Sequence, residues 1–364
     1  ERVQRIADLA EWLAIEAVVP GCDPDHARRA AELSKADLVT GMVGEFPELQ
    51  GLIGGYLARA QGEPQAVADA VRDHYKPVGQ GDEVPTAPVT VAVALAEKLD
   101  TLIQFFAADM PPTGSKDPFA LRRAMLGVLA ITLQNGLRVP LHGILERELR
   151  QFASGAGTAF MDFAVDRLKV QQRDAGVRHD IIDAVFAGSI EDDLVRLLAR
   201  VSALQAFVEG GEGANLLAGY KRAANILKKE NWDLPRVMAD RGEQGMPQTG
   251  EEDPLVLVDE EPELARAIME QAQGSAMPDG APEAERALVA ALDVAEPGAR
   301  AAVEAEDFRA AMAALASLRG PIDAFFDQVT VNDPAPEVRR RRLNILARFR
   351  DAVHGVADFS KIEG

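Results

Sequence analysis

The residues best suited to chemistry in this chain are cations. Arg339, Arg340, Arg341, Arg342, Arg348 and Arg350 fall within one short run that contains no acid. The chain has 364 residues, with 39 Lys and Arg against 58 Asp and Glu, a net charge of −19. The arginine run is therefore its main local reversal of sign. A guanidinium donates paired hydrogen bonds to phosphate oxygens and stacks on bases. Residue type and density thus suit RNA contact. The competing reading is internal pairing with the chain's own acids, for instance Glu260, Glu261 and Glu263. Phe325 and Phe326 precede the run. Adjacent helical residues diverge by about 100°, so one of the two can lie in the core while the other is partly exposed. An exposed ring there could stack on an unpaired base, worth ~1–3 kcal/mol; two buried rings would be core. A weaker basic group is Lys221, Arg222, Lys228 and Lys229. Its helical spacing puts Lys221 and Lys228 on one side, where they support RNA or solubilise a helix end.

Other chemistries are poorly provided for. There is no glycine-rich phosphate loop of the P-loop or dinucleotide-binding type. No Ser-His-Asp or Cys-His arrangement is evident, and no catalytic residue is assigned. The sole thiol, Cys22, excludes an internal disulfide framework and a thiolate zinc cluster. It also points to a reducing, cytoplasmic setting. No apolar run approaches the ~20 residues that span a bilayer, and the start lacks a signal-peptide pattern. The net charge argues against nonspecific nucleic-acid binding, DNA included, and requires any RNA contact to be local.

The elements that must position these residues read as helices throughout. Apolar content is 47% but aromatic content only 5%, favouring helices packed through Ala, Leu and Val. The length suggests two or three domains at ~100–200 residues each. Helices are expected at 1–19, 24–43, 65–75 and 89–108, with another ending near Leu57. Pro111, Pro112 and Gly114 then break the chain. Asp117 is a good N-cap and Pro118 fits the first helical position, predicting a helix over 118–134. Further helices are expected at 140–151, 159–174, 179–186, 189–207 and 215–229. Residues 241–257 read as a flexible linker. Helices at 262–273, 282–294, 298–305, 307–318, 321–329 and 334–354 follow, the last capped by Asp333. Along it Leu343, Leu346, Ala347, Phe349 and Val353 can pack inward.

Five segments carry a resemblance. They are Gly114-Ser-Lys-Asp-Pro-Phe-Ala-Leu-Arg-Arg123, Lys35-Ala-Asp-Leu-Val-Thr-Gly-Met-Val-Gly-Glu-Phe-Pro-Glu-Leu-Gln-Gly51, Lys98-Leu-Asp-Thr-Leu102, Gly320-Pro-Ile-Asp-Ala-Phe-Phe-Asp327 with Val331-Asn332, and Val356-Ala-Asp-Phe-Ser-Lys361. In this order they resemble the β subunit of bacterial glycyl-tRNA synthetase, in its C-terminal portion. The resemblance implies an all-α, multi-domain fold. A degenerate HD-like domain (1–112) would precede a helical middle domain (113–240), the linker (241–257) and a helical-bundle anticodon-binding domain (258–364). It implies recognition of glycine tRNA for ATP-dependent glycylation carried out with an α subunit, in an α2β2 assembly. ATP and Mg would serve the complete synthetase, with no cofactor bound by this part. The contact set it suggests is the six arginines with Phe325, Asn332, Lys221 and Arg222.

The first block is also similar to the HD superfamily of metal-dependent phosphohydrolases. Ala36-Asp37 stands where such enzymes have His-Asp, and Glu97 where they have a late Asp. Ala36 offers no lone pair, and neither His26 nor His74 falls at an evident ligand position. A hydrolytic centre needs several ligands and an open position for water, so no metal is assigned. A phosphohydrolase and a non-catalytic helical scaffold are the alternative functions.

Overall fold

The computed structural model of the chain describes residues 1–79, 81–114, 116–149, 155–187, 193–232, 277–278 and 280–363. Among these the architecture is helical, and the only β-type pairing is an isolated bridge between Thr113 and Lys116. They form two compact units. One is Glu1–Val177 with Glu191–Leu198, the other Arg178–Ile190 with Ala199–Gly364. The expected linker at 241–257 and the helix at 262–273 lie outside the described residues. The expected boundary at 112/113 falls inside unit one.

Unit one contains α1 (Arg2–Ile15), α2 (Pro24–Leu33), α3 (Gly41–Glu45), α4 (Leu52–Ala60), α5 (Gln65–Asp73), α6 (Pro88–Ala107), α7 (Leu121–Gln134), α8 (Leu141–Glu148) and α9 (Gly155–Asp174). α6 is its axis. It is apolar nearly all round, and such a helix must be covered on every side. Residues Val89 to Asp100 are all buried, and α1, α2, α5, α7 and α9 pack against it. At α2, Asp23 caps as its type predicts, accepting from the His26 amide at 2.9 Å, with Pro24 at the first position.

Two expectations are corrected here. The helix predicted over 24–43 breaks after Leu33. Ser34 Oγ donates back to the Ala31 carbonyl at 2.8 Å, a tight turn follows at Ala36–Val39, and Thr40 caps the short α3. Ser and Thr compete with the helix for backbone partners. The helix predicted from Pro118 starts at Leu121 instead. Ala120 is left-handed (φ 55°), and Asp117 reaches past it to accept from the amides of Leu121 (2.8 Å) and Arg122 (3.0 Å). Asp117 still caps, but across a turn, and Phe119, before the helix, is 45% exposed.

Unit two contains α10 (His179–Phe186), the second part of α11 (Leu194–Glu209), α12 (Gly211–Lys229), α13 (Glu283–Glu304), α14 (Phe308–Ala316), α15 (Arg319–Gln328) and α16 (Pro336–His354). α12 packs on α15 and α16, and α13 packs on α14, α15 and α16. The two helices expected at 282–294 and 298–305 are one. α13 runs through Pro297, whose ring is exposed, while Leu288, Leu292, Ala295 and Ala299 continue one buried stripe past it. Burial of that stripe outweighs the bond that proline removes. α16 begins at Pro336, not Pro334, because Asp333 is drawn back toward Arg342 and accepts from the Ala335 amide at 2.9 Å. Its inward residues Leu343, Leu346, Ala347, Phe349 and Val353 are buried as the periodicity requires. No described helix is long and apolar enough to cross a membrane.

α4 and α5 approach so closely that a Cβ at Gly55 would lie 2.7 Å from Arg72 Cβ and 2.9 Å from the Ala68 carbonyl oxygen. Gly55→Ala must push the two helices apart. Overpacking of this kind costs about 1–3 kcal/mol, so the denaturation midpoint of Gly55→Ala should fall accordingly against wild type.

Candidate nucleic-acid interface

The arginine helix is largely occupied with its own protein. Glu285 on α13 is fully buried, and both its oxygens are held. Arg341 Nε donates to Oε2 at 2.9 Å and Arg342 Nε to Oε1 at 2.5 Å. Arg342, itself buried, also donates to the Thr330 carbonyl (2.8 Å) and to Asp333 Oδ2 (2.7 Å). Arg348 makes a two-pronged bond to Glu296 at 2.8 and 2.7 Å and also meets Asp293. Arg339 pairs with Glu230, and Arg350 with Asp351 at 2.8 Å. Glu260, Glu261 and Glu263, named as candidate partners, lie outside the described residues. Arg340 differs from the others: it is exposed, and no described residue pairs with it.

The remaining predicted contacts divide in the same way. Phe325 is 0% exposed and Phe326 8%, their rings edge to face at 5.9 Å. Phe325 therefore has no free face for a base, which corrects its place in the contact set. Asn332 is exposed. On α12, Arg222 lies over the Phe326 ring with its guanidinium 4.3 Å from the centroid. Lys221 is half-buried, while Lys228 and Lys229 are exposed in the last turn.

Between α13 and α16 runs a groove of about 840 Å³. Its apolar lining includes Val289, Ala299 and Ile345. Its charged lining is balanced, with Arg300, Arg340, Arg341 and Arg348 against Glu296, Glu304, Glu337 and Asp351.

Unit one holds a second polar cluster. Lys35 Nζ lies 2.9 Å from His74 Nε2 and 3.2 Å from Glu97 Oε1, and 3.8 Å above the centre of the Tyr75 ring. His74 Nδ1 is 2.7 Å from the Val71 carbonyl. A carbonyl only accepts, so the ring proton sits on Nδ1 and Nε2 accepts from the ammonium. Burial, then the Lys35 charge, holds His74 well below its ordinary range. Burial also pushes the Lys35 amine down to about 8 against the opposing pull of Glu97. Arg2 donates to Glu97 at 2.8 Å from the other side. Asp37, buried, accepts from the amides of Gly51 (2.6 Å) and Gly54 (3.2 Å). Beneath lies Lys98, whose ammonium donates to the carbonyls of Tyr75 (3.0 Å) and Lys76 (3.1 Å), its stem crossing Gly127. Burial brings it, too, down to about 8.

The family model described as Glycyl-tRNA synthetase beta subunit matches residues 1–187. The chain belongs to the glycyl-tRNA synthetase beta-subunit family. The glycine–tRNA ligase beta subunits of Rhodospirillum centenum and Paracoccus denitrificans are each 48% identical to it over the whole chain, and that of Phenylobacterium zucineum 46%. The chain spans 47% of the length of the first two and 48% of the third, so it corresponds to about half of such a subunit.

Within this family member, the residues expected to stand at HD-type metal positions do not fit a divalent ion. One Asp37 oxygen is held by two backbone amides while the other is buried with no described partner, and an ammonium already bridges His74 and Glu97. Among the described residues no group of three or more His, Cys, Asp and Glu side chains could hold a metal. Sequence reading named Asp37 and Glu97, set His74 aside and missed Lys35, since only the fold brings them together. Glu285 was missed too, although a signal was present. It lies three residues before Leu288 on the stripe that buries α13, and an acid on a core stripe demands a cation.

Two outcomes follow. Glu285→Ala removes the buried acid shared by Arg341 and Arg342 and leaves Arg342 only Asp333 and the Thr330 carbonyl; breaking a buried pair costs up to about 3–5 kcal/mol, and unfolding by denaturant, followed by circular dichroism, should show that loss. Lys35 and Lys98 titrate near 8 in the fold against 10.5 ordinarily. The unfolded chain then binds more protons between these values, so stability rises with pH across that window. Denaturant midpoints at pH 7.5 and 9.5 should show less of that rise in Lys35→Met/Lys98→Met than in wild type.

Proposed function

We propose that this chain is a tRNA-binding part of the beta subunit of a glycine–tRNA ligase. It recognises glycine tRNA for ATP-dependent glycylation carried out with an alpha subunit in the cytoplasm. Unit two meets the anticodon arm, residues 258–364 acting as the anticodon-binding domain. The HD-like block (1–112) and the middle region (113–240) serve as a scaffold that orients the tRNA, and orientation alone can raise a rate greatly. ATP and Mg are used by the complete synthetase.

The observation that carries this reading is Arg340, exposed beside a groove and paired with no described residue, on a helix whose other arginines are engaged by acids. Exposed Lys228 and Lys229 stand on α12, which packs against that helix. The candidate contact set is accordingly Arg340, Asn332, Arg222, Lys221, Lys228 and Lys229. Arg339, Arg341, Arg342, Arg348 and Arg350 serve chiefly to hold the unit together.

Fluorescence anisotropy of the chain with glycine tRNA at two salt concentrations tests this. Wild type should bind, and more weakly at higher salt. Lys228→Glu/Lys229→Glu should weaken binding by roughly tenfold or more and lower the salt slope by about one to two units, as loss of phosphate contacts requires. Unchanged affinity and slope in that variant would remove α12 from the interface. Failure of wild type to bind would remove the tRNA reading of this chain.

A further inference from the structure

Resting on the tRNA reading above, we propose that the α16 wall of the groove reads the Watson–Crick edge of an unpaired cytosine through Glu337 and Arg340, with Asn344 beside them. Glu337, Arg340 and Asn344 are spaced three and four residues apart on one face of α16, and all line the groove. No described residue bonds to any of these side chains. Glu337 and Arg340 are exposed and Asn344 is half-buried. Such a set is unusual on this helix, where Arg339, Arg341, Arg342, Arg348 and Arg350 all have acidic partners.

The chemistry selects the base. A carboxylate only accepts, and cytosine offers the N4 amino group as donor. A guanidinium only donates, and cytosine offers N3 and O2 as acceptors. Uracil inverts the first two positions, presenting an oxygen to the carboxylate and N3–H to the guanidinium. The groove lining is also balanced in charge, which suits a neutral base on an apolar floor of Val289 and Ile345 better than a phosphate. Glycine codons begin with two guanines, so a glycine anticodon carries two adjacent cytosines. The proposal is that one of them enters here.

The test is binding of the full chain to an anticodon-arm hairpin of glycine tRNA, with each anticodon cytosine replaced in turn by uracil. Wild type should favour cytosine at one position by roughly 5- to 150-fold. Glu337→Gln should lose most of that preference while keeping affinity for the uracil hairpin, since an amide can donate to the uracil oxygen. Glu304→Gln makes the same chemical change on α13, also in the groove lining, and should keep the preference. Equal melting temperatures would show that both variants fold. Cytosine preference unchanged in Glu337→Gln, with binding intact, would overturn this assignment and leave the tRNA reading standing. Equal loss in Glu304→Gln would also overturn it, by making the effect one of groove charge. No binding of any hairpin by wild type would overturn both.

Discussion

A fully buried carboxylate organises the second unit. Glu285 has no water to solvate it, so two guanidiniums must come to it, from Arg341 and Arg342. Removing ions from water costs several kcal/mol each, repaid only when every lone pair and proton is satisfied. Arg342 meets that condition by also bonding the Thr330 carbonyl and Asp333. One side chain thereby ties α13, the segment before α16 and α16 itself together. This fixes the rotation of α16 about its axis. With Arg341 and Arg342 turned to α13 and Leu343, Leu346 and Phe349 inward, Arg340 is the arginine left outside. The exposure of Arg340, on which the proposed interface rests, is thus a by-product of how a buried acid is neutralised.

The same rule shapes unit one with the signs exchanged. There the buried charges include ammoniums. Lys35 is satisfied by His74 and Glu97, and Lys98 by two backbone carbonyls. The Lys35 cluster brings together the Lys, His and acid side chains of α5, α6 and the turn after α2. It resembles a metal centre in holding neighbouring elements through one central cation. An ammonium does that structurally and has no open coordination position with which to activate water. A helical block held this way can therefore stand as architecture without metal chemistry, because fold alone does not imply function.

Much of the fold was legible because helical signals are local. The apolar run of α6 and the inward stripe of α16 each depend on residues within a few turns. The misread places are those where a distant partner redirected a local signal. Asp333 looks like an N-cap but is drawn toward Arg342, and Pro297 looks like a break but is overridden by the stripe that α13 buries. The site was less legible for the same reason. Six arginines within twelve residues announce a basic helix, but which of them remain for a ligand depends on Glu230, Glu285, Glu296 and Asp351. Of these, only Glu285 carries a sequence signal, its place on a core stripe. Phe325 and Phe326 were ambiguous by nature, and packing placed both inside.

Charge also bears on how an acidic chain can meet RNA at all. At −19 overall, long-range attraction to phosphate is absent, and salt screens what remains beyond about 10 Å. Contacts must then be local and divided by role. The α13–α16 groove, with matched charges along its walls, offers little to a phosphate but presents directional donors and acceptors. The last turn of α12, with Lys228 and Lys229 exposed, offers charge without direction. Phosphate contacts position a nucleic acid, and base contacts specify it. On the proposed reading, holding these two kinds of surface on helices that pack against each other would let one set affinity while the other sets choice. Loss of a lysine would then weaken every sequence alike, whereas loss of a groove acceptor would change which sequence is preferred.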